Sequence, residues 1–446
     1  MNTSRELPRV LGFGSVVGIL VGTVIGSGIF IVPAAVAAQL GSPVLVMSVW
    51  LAGGVLTFFG ALAFSELAAA YPQAGGMYVY LREAYGGLVS FLFGWALFLV
   101  IDSGSIATLA VGFSTKYLPQ FVALSPAGSK AVSVLLIAIL VTVNCLGVRY
   151  GAALQNVLTF IKFGAIVSVV GAVFLFGQGD TAHWTVPAAP PMSGALVGQF
   201  GLALVAVLWA YKGWEVATFA AGEIKNPERN LPLGLFLGSL SMMVLYIAAN
   251  LAYLYMFPVE HIAGAGRIAA DVMNAIVGPI GASLIAGVIL CSIAGAANGN
   301  LLTTPRVFYA MARDGVFFSR LADVHPRALT PYVSIIALGA WSAILTLTGT
   351  FEQLYTYVIF GQWVFFGLTV GAVIVLRRTR PQLRRPYRTW GYPVTPIVFI
   401  LAASFIAINA IVKQPRDAVA GAAIVLLGVP AYLYWRKRAT VSTTRA

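Results

Sequence analysis

The sequence has little charge and few side chains that perform catalysis or bind metals. Only 9% of its 446 residues are charged, whereas 59% are hydrophobic and the mean hydropathy is +0.90. No soluble domain could bury so much apolar surface, so an integral membrane protein is predicted. The two cysteines, Cys145 and Cys291, lie in apolar runs, which excludes a disulfide framework and a cysteine metal site. The three histidines fall in predicted loops, in no arrangement with an acid or thiol that suggests catalysis.

Apolar stretches long enough to cross a bilayer recur along the chain. We predict an all-α integral membrane protein of about twelve transmembrane helices, near residues 11–37, 43–70, 87–114, 131–148, 154–177, 197–222, 231–257, 279–312, 331–349, 353–377, 393–412 and 418–435. The net charge of +13 could suggest a nucleic-acid partner, but twenty Lys and Arg residues fall on one predicted side of the membrane and five on the other. This positive-inside pattern reflects topology, so both termini are expected in the cytoplasm and no nucleic acid is expected to bind.

Two predicted spans, half the chain apart, are interrupted by residues that a membrane helix normally avoids, at 22–30 and 209–215. Backbone that unwinds in a bilayer needs protein or water partners, and interrupted spans at matching positions of two halves point to a transporter's substrate site. The spans form two groups of five, 11–177 and 197–377, followed by two further helices at 393–435. Because five is odd, the second group would enter the membrane from the opposite side, which makes the repeat inverted.

The first interruption has two interpretations. The four-residue spacing of Gly18, Gly22 and Gly26 suits close helix packing. It does not account for Gly26, Ser27 and Gly28, three adjacent residues that disfavour a helix. An unwound turn there would direct free N–H groups and the positive end of a half-helix at one spot, which suits a carboxylate.

The second interruption carries two charges at membrane depth. Lys212 and Glu215 cost at least ~2.5 kcal/mol each in a span unless they pair, face a cavity or lie near an edge. Their i, i+3 spacing allows a mutual ion pair, which is the structural alternative. We favour a role in binding, because Gly213 supplies flexibility and Trp209 an aromatic wall. For Trp209, filling the core is the other interpretation.

Three more ionisable residues lie within predicted spans. Lys162 has apolar or small neighbours, so a functional position is favoured over a lysine whose ammonium reaches the interface. Asp102 is a candidate proton carrier or, beside Ser103 and Ser105, a hydrated residue without a role. Glu66, near the cytoplasmic end of its span, is expected to contact nearby backbone.

Several stretches together resemble a known family. They read GTVIGSGIFIVP, ALAFSELAAAYPQAGGMYVYLREAYG, LQNVLTFIKFGA, WAYKGW followed by AGEIKNPERNLP, and AANGNLLTTPRVFYAMARDG. In this order the chain resembles the amino acid, polyamine and organocation transporter superfamily, and within it the L-type amino acid transporter branch and its bacterial relatives. The resemblance runs from about Leu11 to Arg438. It implies a LeuT-like inverted five-helix repeat plus two extra helices, with the first and sixth helices unwound.

The resemblance also implies roles for individual residues. The substrate carboxylate would bind at residues 26–28, and the α-ammonium would bind carbonyls at the two unwound turns. The substrate-binding set would comprise Val24, Gly26, Ser27, Gly28, Trp209, Ala210, Lys212, Gly213 and Glu215. Trp209 would be the outer gate, and Lys162 would replace the sodium ion of sodium-coupled relatives. Ser292, Asn298 and the separately noted Asp102 are possible neighbours of the site.

Two features depart from the L-type branch. Lys212 stands where that branch usually has a small residue, so a preference for large neutral amino acids does not transfer. An ammonium in the pocket would favour substrates with an extra acceptor or a negative charge and repel cationic ones. The outer loop 115–130 has no cysteine, so no disulfide-linked heavy chain is expected.

We therefore predict a multi-pass plasma-membrane protein, located in the inner membrane if bacterial, that carries amino acids by alternating access. It would act without sodium, as an exchanger or facilitator, and would need neither cofactor nor metal. Proton-coupled symport of amino acids or amines is the alternative. A channel or an amino-acid-sensing binding protein is the alternative from another class, and an enzyme is the most distant.

Overall fold

The computed structural model describes residues 7–185, 191, 193–348, 351–413 and 415–443, and over these ranges the chain forms α-helices without a β-strand. Helices α1 to α19 are, in chain order, Phe13–Val24, Gly28–Leu40, Pro43–Ala70, Met77–Tyr85, Gly87–Ala96, Asp102–Gly112, Pro126–Leu146, Val148–Phe176, Gly194–Ala210, Pro227–Met256, Val259–Gly264, Ile268–Val277, Pro279–Thr303, Pro305–Arg313, Tyr332–Thr348, Phe351–Thr379, Val394–Lys413, Pro415–Leu426 and Gly428–Thr443. Short π-helices lie at Leu97–Ile101 and Phe113–Tyr117, and 3₁₀ turns at Leu118–Gln120, Thr181–Trp184, Val216–Glu223 and Ser319–Ala322.

The helices identify a multi-pass membrane protein. Among the described residues, seven segments are individually long and apolar enough to cross a bilayer: Pro43–Ala70, Gly87–Gln120, Pro126–Leu146, Val148–Phe176, Pro227–Met256, Pro279–Arg313 and Val419–Lys437. The pair α1 and α2, bent by 41° at its break, qualifies as an eighth. Helices α9, α12 and α15, and the stretch Val394–Asn409 of α17, are apolar but shorter.

Some predicted helix ends are wrong by several residues. The fourth predicted span was placed at 131–148, whereas α7 begins at Pro126. The Ser125 hydroxyl accepts a hydrogen bond from Gly128 N–H at 3.1 Å, and proline is well suited to the first helical position. The next span was placed at 154–177, whereas α8 begins at Val148, immediately after Gly147. The Ser125 cap therefore starts α7 earlier than hydropathy indicates, and the glycine at position 147 separates α7 from α8.

The chain leaves helical conformation at both interruptions singled out in the sequence. Helix α1 ends at Val24 and α2 begins at Gly28. Helix α9 ends at Ala210, and after a turn the chain continues as the 3₁₀ segment Val216–Glu223. Helices α1 and α2 pack against α10 and α9, so the two breaks come together in the interior.

Glycine lets α1 approach its neighbour α8. A side chain on Gly18 would collide with Asn156, and one on Gly22 would collide with Gln155 and Thr159. The Thr159 hydroxyl donates to the carbonyl of Gly18 at 2.9 Å. The close-packing interpretation therefore describes Gly18 and Gly22. A Cβ on Gly26, by contrast, would meet Ala296 at an ordinary 3.6 Å.

Buried ion pairs join elements at the ends of the spans. Glu223 accepts from Nε of Arg306 at 2.5 Å, and both side chains are at most 1% exposed. The Glu223 carbonyl also accepts the N–H groups of Val10 and Leu11, which ties the start of the described chain to this pair. Arg306, which lies within the predicted span 279–312, is thus buried in an ion pair.

Glu66 makes a structural contact, but mainly with a segment far away in sequence. Its carboxylate accepts from Arg377 at 2.6 Å and from the N–H of Thr389 at 2.7 Å, and lies 3.3 Å from Arg385. The expected backbone contact is therefore present, but it comes from the segment between α16 and α17. The contact anchors that basic segment on α3.

Glu83, on α4, belongs to a second ionic cluster. It accepts from Arg82 at 2.9 Å and from Arg380 at 2.5 Å. Burial raises the pKa of Glu83, but the hydrogen bonds from Arg380 and Arg82 outweigh it, so the pKa lies below its ordinary value. This carboxylate therefore stays ionised at neutral pH.

Arg306→Met is expected to destabilise the protein by about 3–5 kcal/mol, because it leaves the Glu223 carboxylate buried without its partner. The matched control is Arg384→Met, which removes a pair with Glu228 whose arginine is 80% exposed and should cost at most about 1 kcal/mol. Unfolding of the purified protein in detergent measures both. Equal effects of the two substitutions would contradict the importance of the buried pair.

Candidate functional site

A small cavity of about 50 Å³, enough for several water molecules, lies where the two interrupted helices meet. Its walls come from both breaks, from α6 and from α13, and consist of Thr23, Val24, Gly26, Ser27, Gly28, Ser105, Thr108, Leu109, Trp209, Ala210, Lys212, Gly213, Ala296 and Asn300. Eight of the nine residues predicted to bind substrate line this cavity, and Glu215 does not. Their role in binding stays a prediction.

Helix α2 begins at the cavity with unpaired backbone donors. The chain makes an inverse γ-turn at Ile25, with φ −71° and ψ 84°. Beyond this turn, the N–H groups of Ser27, Gly28 and Ile29 find no acceptor among the described residues. Free amides at the start of a helix attract anions through their hydrogen bonds and the helix dipole. A carboxylate is the ligand group that this end of the cavity suits best.

The two breaks touch each other directly. A Cβ on Gly28 would lie 2.7 Å from the Cα of Ala210, so only glycine permits this approach. The Tyr246 hydroxyl, from α10, lies 3.1 Å from the carbonyl oxygen of Val24 and 3.3 Å from that of Ala210. One side chain therefore contacts the last helical carbonyl on each side of the junction.

The turn after α9 has an internal scaffold. Gly213 has φ +110°, and a Cβ there would lie 2.8 Å from the Thr23 side chain. Glu215 is buried behind the turn, where its carboxylate accepts from the N–H of Gly213 at 3.2 Å and from Gln362 Nε2 at 2.8 Å. Glu215 therefore shapes the cavity wall from outside the cavity.

Lys212 pairs with a different acid from the one its spacing suggested. Its ammonium lies 3.2 Å from Asp102 Oδ1 and also donates to the Ser105 hydroxyl, and it makes no ion pair with Glu215. The other oxygen of Asp102 accepts from the Thr304 hydroxyl at 2.5 Å. The alternative of a Lys212–Glu215 pair is therefore wrong. Unwinding removes the helical geometry that an i, i+3 pair requires.

Lys162 is fully buried, which rules out an ammonium that reaches the interface. It donates to the carbonyls of Gly22, of Ile25 at 2.8 Å and of Ser292 at 3.2 Å. The Ser292 hydroxyl in turn lies 2.9 Å from the Ile25 carbonyl and 3.0 Å from that of Gly26. The ammonium thus joins the first break to α13, and Ser292 lies next to it.

Asn298, the other suggested neighbour, faces away from the cavity. Its amide donates to Gln155 Oε1 at 2.8 Å and to the carbonyl of Gly151 at 3.1 Å, and accepts from Asn144 at 2.8 Å. These contacts tie α13 to α7 and α8. Asn298 is therefore part of a buried amide network that supports the site from behind.

Sequence reasoning missed several residues at the site. These are Ser105, Thr108 and Asn300 in the cavity wall, Thr304 on the acid of the ion pair, and Tyr246 at the junction. Ser105 and Thr108 follow the acid at three-residue intervals, so a helical projection of the third span would have placed all three on one face. Tyr246 and Asn300 carry no comparable signal, because their partners lie far away in sequence.

An interrupted pair of helices around a small polar cavity, within a bundle of apolar spans, is the arrangement of a membrane transporter. Residues 11–431 match the amino acid permease family. The chain is 34% identical over 421 residues to the b(0,+)-type amino acid transporter 1 of Homo sapiens, covering 92% of this chain and 84% of the relative.

Two further relatives cover even more of the chain. The serine/threonine exchanger SteT of Bacillus subtilis (strain 168) is 31% identical over 97% of this chain and 98% of its own length. The large neutral amino acids transporter small subunit 2 of Rattus norvegicus is 31% identical over 97% of this chain and 82% of its own length. The chain belongs to the amino acid permease family. The resemblance described from the sequence is confirmed, as is the expectation that the protein is not an enzyme.

Gly28→Val should abolish, or reduce by at least about tenfold, the binding and uptake of every transported substrate alike. The added side chain would press on Ala210 and shield the free N–H groups of α2. Gly171→Val on α8, where an added Cβ has open space, is the matched control and should transport normally. Normal uptake by Gly28→Val, measured in proteoliposomes beside that control, would place the site elsewhere.

Proposed function

We propose that this chain transports amino acids across the plasma membrane by alternating access, as a sodium-independent exchanger or facilitator. The family and all three relatives described above support amino acids as the substrate class, and one of those relatives is named an exchanger. The proposal includes a topology of twelve spans with both termini in the cytoplasm, for which the asymmetry of basic residues is the support.

Helix packing supports an inverted repeat within this topology. Matched in order, the two groups of five spans pair α1 and α2 with α9, α3 with α10, α6 with α13, α7 with α15, and α8 with α16. Helix α1 packs on α10 as α9 packs on α3, and α8 packs on α13 as α16 packs on α6. When each helix of one group is replaced by its counterpart in the other group, one contacting pair becomes the other. This is the symmetry that an inverted repeat requires.

In this proposal the substrate's carboxylate binds the N–H groups of Ser27, Gly28 and Ile29, the free donors of the cavity. The α-ammonium binds carbonyl oxygens of the same two breaks, near Val24 and Ala210, in competition with the Tyr246 hydroxyl. Both contacts involve the part that all α-amino acids share. The remaining walls of the cavity then select the side chain.

The observation that carries sodium independence is the position of the Lys162 ammonium. It donates to Gly22, Ile25 and Ser292, so a permanent protein cation occupies the group of carbonyls that an alkali cation would otherwise need. These carbonyl oxygens can hold either an ammonium or a metal ion, but not both at once. In this proposal, sodium therefore cannot bind there. The charge then stabilises the unwound turn throughout the cycle.

Unmodified protein in proteoliposomes should therefore exchange amino acids at the same rate with sodium or with choline as the external cation. Lys162→Met should reduce exchange by at least about tenfold, because the carbonyls of the break lose their donor. Lys225→Met, at an exposed cytoplasmic position, is the matched control and should behave as the unmodified protein does. Sodium-dependent uptake by the unmodified protein would contradict this proposal.

Proton-coupled symport is the second candidate, because the buried Lys162 could release its proton once per cycle. It predicts uptake that an inward proton gradient accelerates, and residual exchange in Lys162→Met that no longer responds to pH. A permanent structural charge predicts uptake nearly independent of the gradient. Uptake with and without an imposed gradient, in both proteins, separates the candidates.

Trp209→Ala is expected to lower the transport rate more than equilibrium binding, because a lid at the cavity affects closure more than ground-state affinity. Trp209→Phe, which keeps an aromatic wall, should retain most of the rate. Calorimetric binding and proteoliposome exchange measure the two quantities. An equal loss in both, or in neither, would argue for a residue that only fills space.

A further inference from the structure

One face of α6 presents three polar side chains at three-residue intervals toward the second break. Asp102, Ser105 and Thr108 form this face, which we call the α6 polar face. A π-helical segment, Leu97–Ile101, directly precedes it, and such irregular turns frequently occur at functional sites. Ser105 and Thr108 line the cavity, whereas Asp102 is 1% exposed and lies behind Lys212.

Thr108 has a hydroxyl without a partner. The hydroxyls of Thr23, Ser105 and Thr303, on the same group of helices, each donate to the carbonyl four residues earlier. The Thr108 hydroxyl is buried, lines the cavity and has no hydrogen-bond partner among the described residues. A buried hydroxyl without a partner costs stability, which a ligand that supplies the missing hydrogen bond would recover.

Lys212 adds a donor to the same wall. Two of its three N–H groups are used by Asp102 and Ser105, and its side chain is 11% exposed at the cavity. The third N–H group has no partner among the described residues. The cavity therefore offers a substrate side chain one N–H group of the Lys212 ammonium and the Thr108 hydroxyl. The charge of Lys212 is balanced by that of Asp102.

We propose that Lys212 and the α6 polar face form a side-chain subsite that selects small neutral amino acids carrying a hydroxyl or an amide. This inference rests on the proposed function. A neutral acceptor can use the free N–H group of Lys212 and the Thr108 hydroxyl without disturbing the ion pair. The small volume of the cavity favours short side chains.

The ion pair excludes charged side chains in both directions. A cationic side chain would meet the Lys212 ammonium first, while the carboxylates of Asp102 and Glu215 lie buried behind the cavity wall. An anionic side chain would place two carboxylates around one ammonium inside the membrane, a net charge that the surroundings do not balance. The Lys212 charge therefore does not by itself favour acidic substrates.

Threonine and valine have nearly the same shape and differ in one hydroxyl, so they test the subsite directly. In proteoliposomes that exchange labelled alanine, unlabelled threonine should compete about three- to tenfold better than valine, the factor expected for one neutral hydrogen bond. Lysine and glutamate should compete poorly. Equal competition by threonine and valine would overturn the inference.

Thr108→Val should remove most of this preference, measured as the ratio of competition by threonine to competition by valine. The matched control is Thr142→Val on α7, where the exposed hydroxyl bonds only the carbonyl of Ala138, and the preference should persist there. A preference that is unchanged in Thr108→Val would contradict the role of its hydroxyl. If the unmodified protein exchanges no amino acid at all, the proposed function fails, whereas exchange without the preference refutes the subsite alone.

Charge variants test the exclusion of ions. Lys212→Met leaves the wall negative and should improve competition by lysine at least about tenfold, and Asp102→Asn should do the same for glutamate. The double variant Lys212→Met/Asp102→Asn restores neutrality and should exclude both ions again, which covers the case in which a single variant does not fold. Unchanged competition by lysine and glutamate in the single variants, or improved competition by either ion in the double variant, would overturn exclusion by the pair.

Discussion

The constraint on which this structure depends is that every polar backbone group exposed by unwinding a helix inside a membrane needs a partner. The first break exposes carbonyls, and the protein supplies donors for them. Lys162 donates to the carbonyls of Gly22 and Ile25, and the Ser292 hydroxyl can donate to the carbonyl of Ile25 or to that of Gly26. The acceptors of the break are thus largely satisfied by the protein itself, whereas the N–H groups at the start of α2 are not.

This difference between satisfied acceptors and unsatisfied donors indicates which ligand groups the cavity can bind. Among the described residues, the groups left unpaired at the cavity include several donors, namely the α2 amides, the third N–H group of Lys212 and the Thr108 hydroxyl, which can also accept. A ligand that completes the hydrogen bonding must therefore bring acceptors, and a carboxylate brings the strongest ones. In this protein, the hydrogen bonds that would bind the ligand are the same ones that would satisfy the donors left free where the helix unwinds.

Much of this arrangement could be predicted from the sequence, because the signals are local. Two glycines on either side of Ser27 mark the first break, and Gly213 between two tryptophans marks the second. Lys162 stands out as a lone lysine in an apolar span. Other features could not be predicted, because their partners are distant. Lys212 pairs with Asp102, 110 positions away, in place of Glu215, and Glu66 pairs with the segment after α16. A single sequence reveals spacing along one helix but not which helix lies opposite.

The Tyr246 hydroxyl can donate to only one of its two neighbouring carbonyls at a time. Its hydroxyl lies within reach of two carbonyls, those of Val24 and Ala210, but a phenol has only one proton to donate. At any instant one of the two oxygens therefore lacks this donor, and the carbonyl of Val24 already accepts from Gly26 N–H at 2.7 Å. One carbonyl oxygen of the junction therefore remains able to accept a hydrogen bond from an incoming ammonium, while the phenol donates to the other carbonyl.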